Sequence, residues 1–208
     1  QADMQINPDA QEASIKVYID GIGTLSGGDD SLAGYAFGQG ETGVLARVKQ
    51  SPEVFIKKLR ELLDHNPDVL IEKVQFDIFG FSRGAAAARH FANEVLSADG
   101  GVMSRHISSS LPTFVADFKW SSHSSINVIG LFDTVAAIGD PARGHMSVGD
   151  AKNPGVNLYL ARACAKQVVH LTAADECRHN FSLNRVNTKY HEELVLPGVH
   201  SNLGGGYP

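Results

Sequence analysis

The stretch VQFDIFGFSRGAAAARHFANEVL, Val74 to Leu96, limits what this chain can fold into more than any other. Val74, Phe76, Ile78 and Phe79 form a short apolar run that suits a strand buried in a sheet, and the run stops at Gly80. From Ala88 the apolar residues fall at Ala88, Phe91, Ala92, Val95 and Leu96, the spacing of one helical face, with Arg89, His90, Asn93 and Glu94 on the other. A strand therefore runs into a corner and a helix leaves it. The corner, Gly80-Phe81-Ser82-Arg83-Gly84, matches G-x-S-x-G, in which glycines make room for a tight turn that holds a serine at the head of the next helix. Such a turn projects the hydroxyl of Ser82 outward. A histidine can take its proton there, and the Arg83 N–H points to where an oxyanion would form.

Composition narrows the class. The chain has 208 residues, 43% of them hydrophobic and 20% charged, values of an ordinary globular domain, and one domain spanning 1–208 is expected. A net charge of −5 with 18 scattered Lys and Arg gives no basic surface for nucleic acid. No apolar stretch approaches the roughly 20 residues of a membrane span, and the opening QADMQINPDAQ shows no cleavable signal peptide. Without an initiator Met, and ending at HSNLGGGYP, the sequence reads as a fragment of a longer protein. Cys164 and Cys177 lie in a stretch that reads as helical, which suggests buried or free thiols more than a disulfide framework.

Elsewhere, Ile15, Val17 and Ile19 alternate with Lys16 and Tyr18, predicting a strand that ends in the glycine-rich loop after Asp20. Ser51-Pro52 predicts a helix start, with Phe55, Leu59, Leu62 and Leu63 as its buried stripe and Asn66-Pro67 as its end. Leu111, Phe114, Val115 and Phe118 fit one helical face, a lid or a packed surface helix. Ile126 to Asp133 reads as a second strongly apolar strand, Val156 to Ala173 as a long helix, and Glu192 to Leu196 as a short strand. Alternating strands and helices predict an α/β fold: a mainly parallel sheet with helices on both faces and a site at the carboxyl ends of its strands.

Those strand ends carry Asp20, Ser82 and Asp133, with His200 after the last strand. The order Ser82, Asp133, His200 leaves room for helices in each gap and assigns Ser82 as nucleophile, His200 as base and then acid, and Asp133 as the group that orients the imidazole. Asp140 and Asp175 stand as alternative acids. Gly38 to Gly43 matches G-x-G-x-x-G but follows a poor strand, and no acid sits at a strand end about 20 residues on, so no dinucleotide site is expected. No P-loop and no H-E-x-x-H is present. Neither a catalytic metal nor another cofactor is expected, and calcium has no readable pattern.

Taken together, VYIDGIGT, FGFSRGAAAARHFAN, GLFDTVAAIG, HLTAADECRHNF and LPGVHSNLGGGYP resemble the α/β hydrolases that include the type VI secretion phospholipase effectors. The likeness runs from Ile15 to Pro208 and lies above all in the extended G-F-S-R-G-A elbow and the G-V-H-S-x-x-G-G-G-Y ending. It implies the α/β-hydrolase fold and a Ser-Asp-His triad at Ser82, Asp133 and His200. It also implies an oxyanion hole from the backbone of Arg83 and of Gly21 and Ile22, in a loop where the family tends to read D-G-T-G. The implied reaction is phospholipase A cleavage of glycerophospholipid acyl esters through an acyl-enzyme on Ser82, with no cofactor. The implied biology is an antibacterial effector made in the bacterial cytoplasm, passed on by a secretion spike and acting in a target cell's periplasm, with an immunity protein as its blocker. Two rival readings are a soluble carboxylesterase or thioesterase, and a non-enzymatic binding module with the same fold.

Overall fold

The structure is a computed structural model that describes residues 4–8, 11–19, 43–97, 101–110, 114–136, 155–178 and 182–206. Its centre is a four-stranded sheet of β3 (Val74–Phe81), β4 (Ser124–Phe132), β5 (Gln167–Ala173) and β6 (Glu192–Leu196). The strands lie in that order and every pair is parallel. A separate antiparallel hairpin joins β1 (Met4–Asn7) to β2 (Glu12–Ile15), with Met4 opposite Ile15. The helices are α1 (Val44–Asp64), α2 (Arg83–Leu96), α3 (Val102–Ser110), α4 (Trp120–His123) and α5 (His200–Leu203). This is the mainly parallel α/β arrangement that the sequence predicts.

Helix α2 sits directly on the sheet. The alanine run of α2 places Ala85, Ala86 and Ala92 fully buried, and side chains this small let the helix axis come close to β3 and β4. Helices α1 and α3 stack behind it, and the core they close includes Ile56, Ile78, Val95, Met103, Ile107, Ile129 and Leu131. Each such side chain contributes about 1.5–3 kcal/mol relative to leaving it in water. Trp120 completes the core, and its indole N–H donates to the Val95 carbonyl at 2.7 Å. The opposite sheet face carries the cross-strand row Phe81, Phe132, Leu171 and Leu194, of which Phe81 and Leu194 are exposed, and α5 meets this row where the His200 ring lies against Phe81. No described helix is long and apolar enough to cross a membrane.

Several elements differ from the sequence reading. Helix α1 begins at Val44, before Ser51-Pro52, and runs through the proline. Pro52 has no N–H for the Val48 carbonyl four residues back, but the Ser51 hydroxyl donates to that oxygen at 2.6 Å, so the interior proline leaves no orphan acceptor. The long helix expected over Val156 to Ala173 does not form. Residues 156–166 carry no regular element and Gln167–Ala173 is β5, because a site between β4 and β6 pairs its backbone on both sides and suits the branched Val168, Val169 and Thr172. Cys164 is therefore in a bend, buried, and Cys177 lies exposed beyond β5. Of the helical face expected at Leu111, Phe114, Val115 and Phe118, Leu111 lies outside the described residues, and the rest is no helix: Phe114 bridges to Ile71, and Val115 N–H donates to the Ile71 carbonyl at 3.1 Å. Pairing in β2 stops at Ile15, so Lys16 to Ile19 are not a strand. Leu96, assigned to the buried stripe of α2, is exposed.

The two glycines of the corner are not equivalent. A Cβ on Gly80 would lie 2.3 Å from the Gly84 carbonyl oxygen and 2.8 Å from the Ala85 Cα, backbone atoms that cannot swing away. A Cβ on Gly84 meets no described atom within 4 Å. Gly80→Ala should therefore cost on the order of 1–3 kcal/mol or more. Gly84→Ala, inside a helix where alanine is favoured by about 0.5–1 kcal/mol, should be neutral or slightly stabilising. Thermal melts of the two variants check this, and equal losses would show that the corner needs both glycines.

Candidate active site

Register brings the reactive groups together. Phe81 pairs with Phe132, so the residues that follow them, Ser82 and Asp133, emerge side by side at the carboxyl ends of β3 and β4. Both leave their strands with positive φ, 56° at Ser82 and 45° at Asp133, conformations that non-glycine residues rarely adopt. The Ser82 N–H donates to the Phe132 carbonyl at 2.9 Å, while the Ser82 carbonyl accepts from Ala85 at 3.0 Å and from Ala86 and Val135 at 3.3 Å. The corner is thus tied to the neighbouring strand on one side and to the first turn of α2 on the other. Asp133 is tied to β5, its N–H donating to the Leu171 carbonyl at 2.7 Å and its Oδ1 accepting from Ala173 N–H at 3.0 Å.

His200 arrives from the other direction, as the first residue of α5. Its Nδ1 lies 2.6 Å from Asp133 Oδ2 and its Nε2 lies 2.8 Å from Ser82 Oγ. A carboxylate can only accept, so Nδ1 carries the proton and Nε2 is left to accept from the Ser82 hydroxyl. His200 and Asp133 are both buried, and the Phe81 ring lies against the imidazole with centroids 4.5 Å apart. Burial pushes the Asp133 carboxyl up, but the hydrogen bonds from His200 and Ala173 outweigh it and hold the group below its ordinary range. Asp133 is therefore ionised and able to fix the imidazole. This arrangement can move a proton from a serine hydroxyl to a histidine whose resulting charge faces a carboxylate.

The loop before His200 is held by two acids. Gly198 N–H donates to Asp175 Oδ2 at 2.7 Å and Asp175 N–H donates to the Gly198 carbonyl at 3.0 Å, a reciprocal clasp. The next acid, Glu176, accepts from the His200 backbone N–H at 3.3 Å. The Arg178 side chain and backbone hold the Glu176 carboxyl at about 2. Asp175, an alternative acid in the sequence reading, thus binds backbone, and the carboxylate on His200 is Asp133. The other alternative, Asp140, lies outside the described residues, as do Asp20, Gly21, Ile22 and the G-x-G-x-x-G stretch before Gly43. Arg83 is the first residue of α2, directly after Ser82. Among the described residues no group of three His, Cys, Asp or Glu could hold a metal ion.

A second polar group lies behind Asp133. His170, Glu193, Thr134 and Arg89 are joined to it or to one another and were not singled out from the sequence as functional. His170 opens HLTAADECRHNF, a stretch that carries the family likeness without assigning it a role, and Glu193 fell in a short predicted strand. The signal was alternation: Val168, His170 and Thr172 share the buried side of a strand.

Comparison with known proteins adds a family likeness. Residues 109–208, just under half the chain, match the family model for the T6SS phospholipase effector Tle1-like catalytic domain. The chain also aligns with a solved structure of the Tle1 effector bound to the VgrG spike of the type 6 secretion system. That alignment has 45% identity and a TM-score of 0.67, and covers 79% of this chain and 31% of the effector. The chain resembles the catalytic part of a type VI secretion phospholipase effector. It spans about a third of the length of that effector. An uncharacterized protein from Pseudomonas aeruginosa aligns at 28% identity over 78% of this chain and 23% of its own, but a TM-score of 0.38 is too low to carry a structural argument. No curated protein matches.

Gly198 has φ +110°, and a Cβ there would lie 2.9 Å from Asn202 Oδ1. Gly198→Ala should therefore cost about 1–3 kcal/mol, the usual scale for a residue forced into such a conformation. Asp175→Ala, which frees an exposed N–H, should cost only about 0.5–1.5 kcal/mol. Denaturant melts rank the two, and the opposite ranking would mean that the clasp, and not the backbone angle, holds this loop.

Proposed function

We propose that this chain is the catalytic domain of a secreted phospholipase of the type VI effector kind, a serine esterase that cleaves glycerophospholipid acyl esters. The observation that carries the reading is the unbroken hydrogen-bonded line from Ser82 through His200 to Asp133, on a strained strand-to-helix corner, in a chain 45% identical to a Tle1 effector over the aligned part. In the proposed reaction His200 Nε2 takes the Ser82 proton as Oγ attacks the ester carbonyl. The Asp133 carboxylate faces the imidazolium that results. The Arg83 N–H, at the positive end of α2, donates to the oxyanion, with a second donor from the backbone of Gly21 or Ile22. Collapse expels the lysophospholipid, which takes its proton from His200, and leaves an acyl-serine. Water, deprotonated by the same imidazole, then releases the fatty acid.

The likeness to an effector seen on a VgrG spike supports a secretion spike as the carrier and a rival cell's membrane, reached from its periplasm, as the target. An immunity protein that blocks the site in the producing cell completes this reading. The likeness to a phospholipase family favours lipid over soluble esters or thioesters, and the assembled site favours an enzyme over a module that only binds.

Ser82→Ala should abolish fatty-acid release from phospholipid vesicles, a loss on the order of 10⁴-fold to 10⁶-fold, while the melting temperature stays within a few degrees. Asp133→Asn should cost on the order of 10⁴-fold in turnover. The assay is run on the full-length protein, beside labelling with a serine-directed fluorophosphonate. Equal lipid hydrolysis by wild type and Ser82→Ala would refute the nucleophile. Labelling of Ser82 with turnover of short soluble esters only would reassign the substrate, and a folded wild type whose Ser82 never labels would favour a binding module.

A further inference from the structure

The cross-strand row one step before the reactive residues faces α2 and reads Gly80, Leu131, His170, Glu193. Its two polar members are buried in an otherwise apolar layer, His170 with no exposure at all. The N–H of Thr134, the residue after Asp133, points at His170 Nε2 at 3.1 Å. A backbone N–H can only donate, so Nε2 must hold a lone pair and the proton must sit on Nδ1. Nδ1 lies 3.0 Å from Glu193 Oε2, an acceptor that requires that same proton. The two contacts select one tautomer between them.

Glu193 is held in turn. Its Oε1 accepts from the Arg185 guanidinium and its Oε2 also accepts from Val186 N–H at 3.2 Å. Arg89, on the helix that starts at the Ser82 corner, donates to the Asn184 carbonyl at 2.8 Å and the Arg185 carbonyl at 3.3 Å, fixing the segment that supplies those donors. The Thr134 carbonyl accepts from Asn184 N–H at 2.8 Å. Burial, more than any neighbour, pushes the His170 imidazole below its ordinary range; Arg89 adds to this and Glu193 opposes it.

The Thr134 N–H belongs to the peptide plane that joins Asp133 to Thr134. Anchoring that plane sets ψ of Asp133, a residue already in the left-handed region at φ 45°. With φ and ψ fixed, the carboxylate can span Ala173 N–H at Oδ1 and His200 at Oδ2 at once. We propose that His170, locked in its Nδ1–H tautomer by Glu193, is a positioning residue for Asp133 that aims the acid at His200. This role in turnover rests on the hydrolase reading above, whereas the aim of the carboxylate is a property of the fold and can be measured without turnover.

The test uses the full-length protein carrying His170→Phe, which keeps the ring volume and removes the acceptor, and His170→Gln, whose side-chain oxygen can accept from Thr134 N–H. The first readout is the downfield proton resonance of the His200 Nδ1–H bonded to Asp133. It should be lost or strongly shifted in His170→Phe, kept in His170→Gln, and unaffected by Ser82→Ala. The second readout is the rate of fluorophosphonate labelling at Ser82. His170→Phe should slow it on the order of 10-fold to 100-fold, the scale of a misplaced catalytic group. His170→Gln should restore most of the rate, and in an Asp133→Asn background His170→Phe should have no further effect. If His170→Phe does not fold, His170→Leu carries the same test, since it too leaves the Thr134 N–H without its imidazole acceptor. An unchanged resonance and labelling rate in a folded variant would overturn the inference, as would an equal fold-loss in the Asp133→Asn background. A wild type whose Ser82 never labels but whose resonance responds as expected would overturn the hydrolase reading and leave the positioning role standing.

Discussion

The backbone of Ser82 is the constraint on which the rest of the structure depends. At φ 56° and ψ −123° it occupies a region that non-glycine residues avoid, and such a residue persists only where its surroundings over-determine it. They do so here with four backbone hydrogen bonds on one residue, one given to β4 and three received, from two residues of α2 and from Val135. Close approach of β3 to α2 is needed for those bonds to reach, and the bare Cα of Gly80 and the alanine face of α2 permit it. The same hydrogen bonds that hold the serine also fix the start of the loop carrying Asp133, since Val135 is one of the donors. The strain at Ser82 and the placement of Asp133 are thus one structural fact.

Sequence legibility followed the range of the interactions. The corner was readable because a strand, a G-x-S-x-G turn and a helix are all local, and β3, α2, β4 and β6 fall within a few residues of their expected places. Asp133 could be singled out because it ends an apolar strand directly, and His200 because it lies a few residues beyond a short one. What failed depended on partners far along the chain. Gln167–Ala173 carries apolar residues at spacings that a helix also tolerates, and only pairing with β4 on one side and β6 on the other makes it a strand. Phe114 and Phe118 do meet, their ring centroids 4.2 Å apart, but around a turn that follows a bridge to Ile71, a contact 43 positions away that spacing cannot reveal. The interior Pro52 misled for a local reason, since Ser51-Pro52 is a good helix start unless the serine hydroxyl is used to replace the lost backbone bond.

The second layer of the site was invisible for a related reason. Arg89 reads in sequence as one charge on the polar face of α2, yet it is buried and donates to the carbonyls of Leu158, Asn184 and Arg185. Burial lowers its pKa to about 10 against the opposing pull of Glu193, so it remains charged at neutral pH. A cation there costs desolvation, which three carbonyls and a nearby carboxylate offset. In return it ties irregular segments, which have no ladder of their own, to the helix that begins at Ser82.

Two buried histidines therefore stand on either side of Asp133, each with Nδ1 on a carboxylate, and what separates them is the partner at Nε2. For His170 that partner includes a backbone N–H, which needs the lone pair and has no proton to release at any ordinary pH. Its ring is a fixed acceptor, and full burial disfavours the charged form. For His200 the partner is the Ser82 hydroxyl, a group that can both give and take a proton; burial pushes the carboxyl at Nδ1 up, and the hydrogen bonds from His200 itself and from Ala173 N–H outweigh it. Only the second ring can cycle between neutral and charged without leaving a donor facing a donor. The same side chain thus faces a group that can only donate in one place and a group that can both donate and accept in the other, and the chemistry of a single neighbouring atom separates the two.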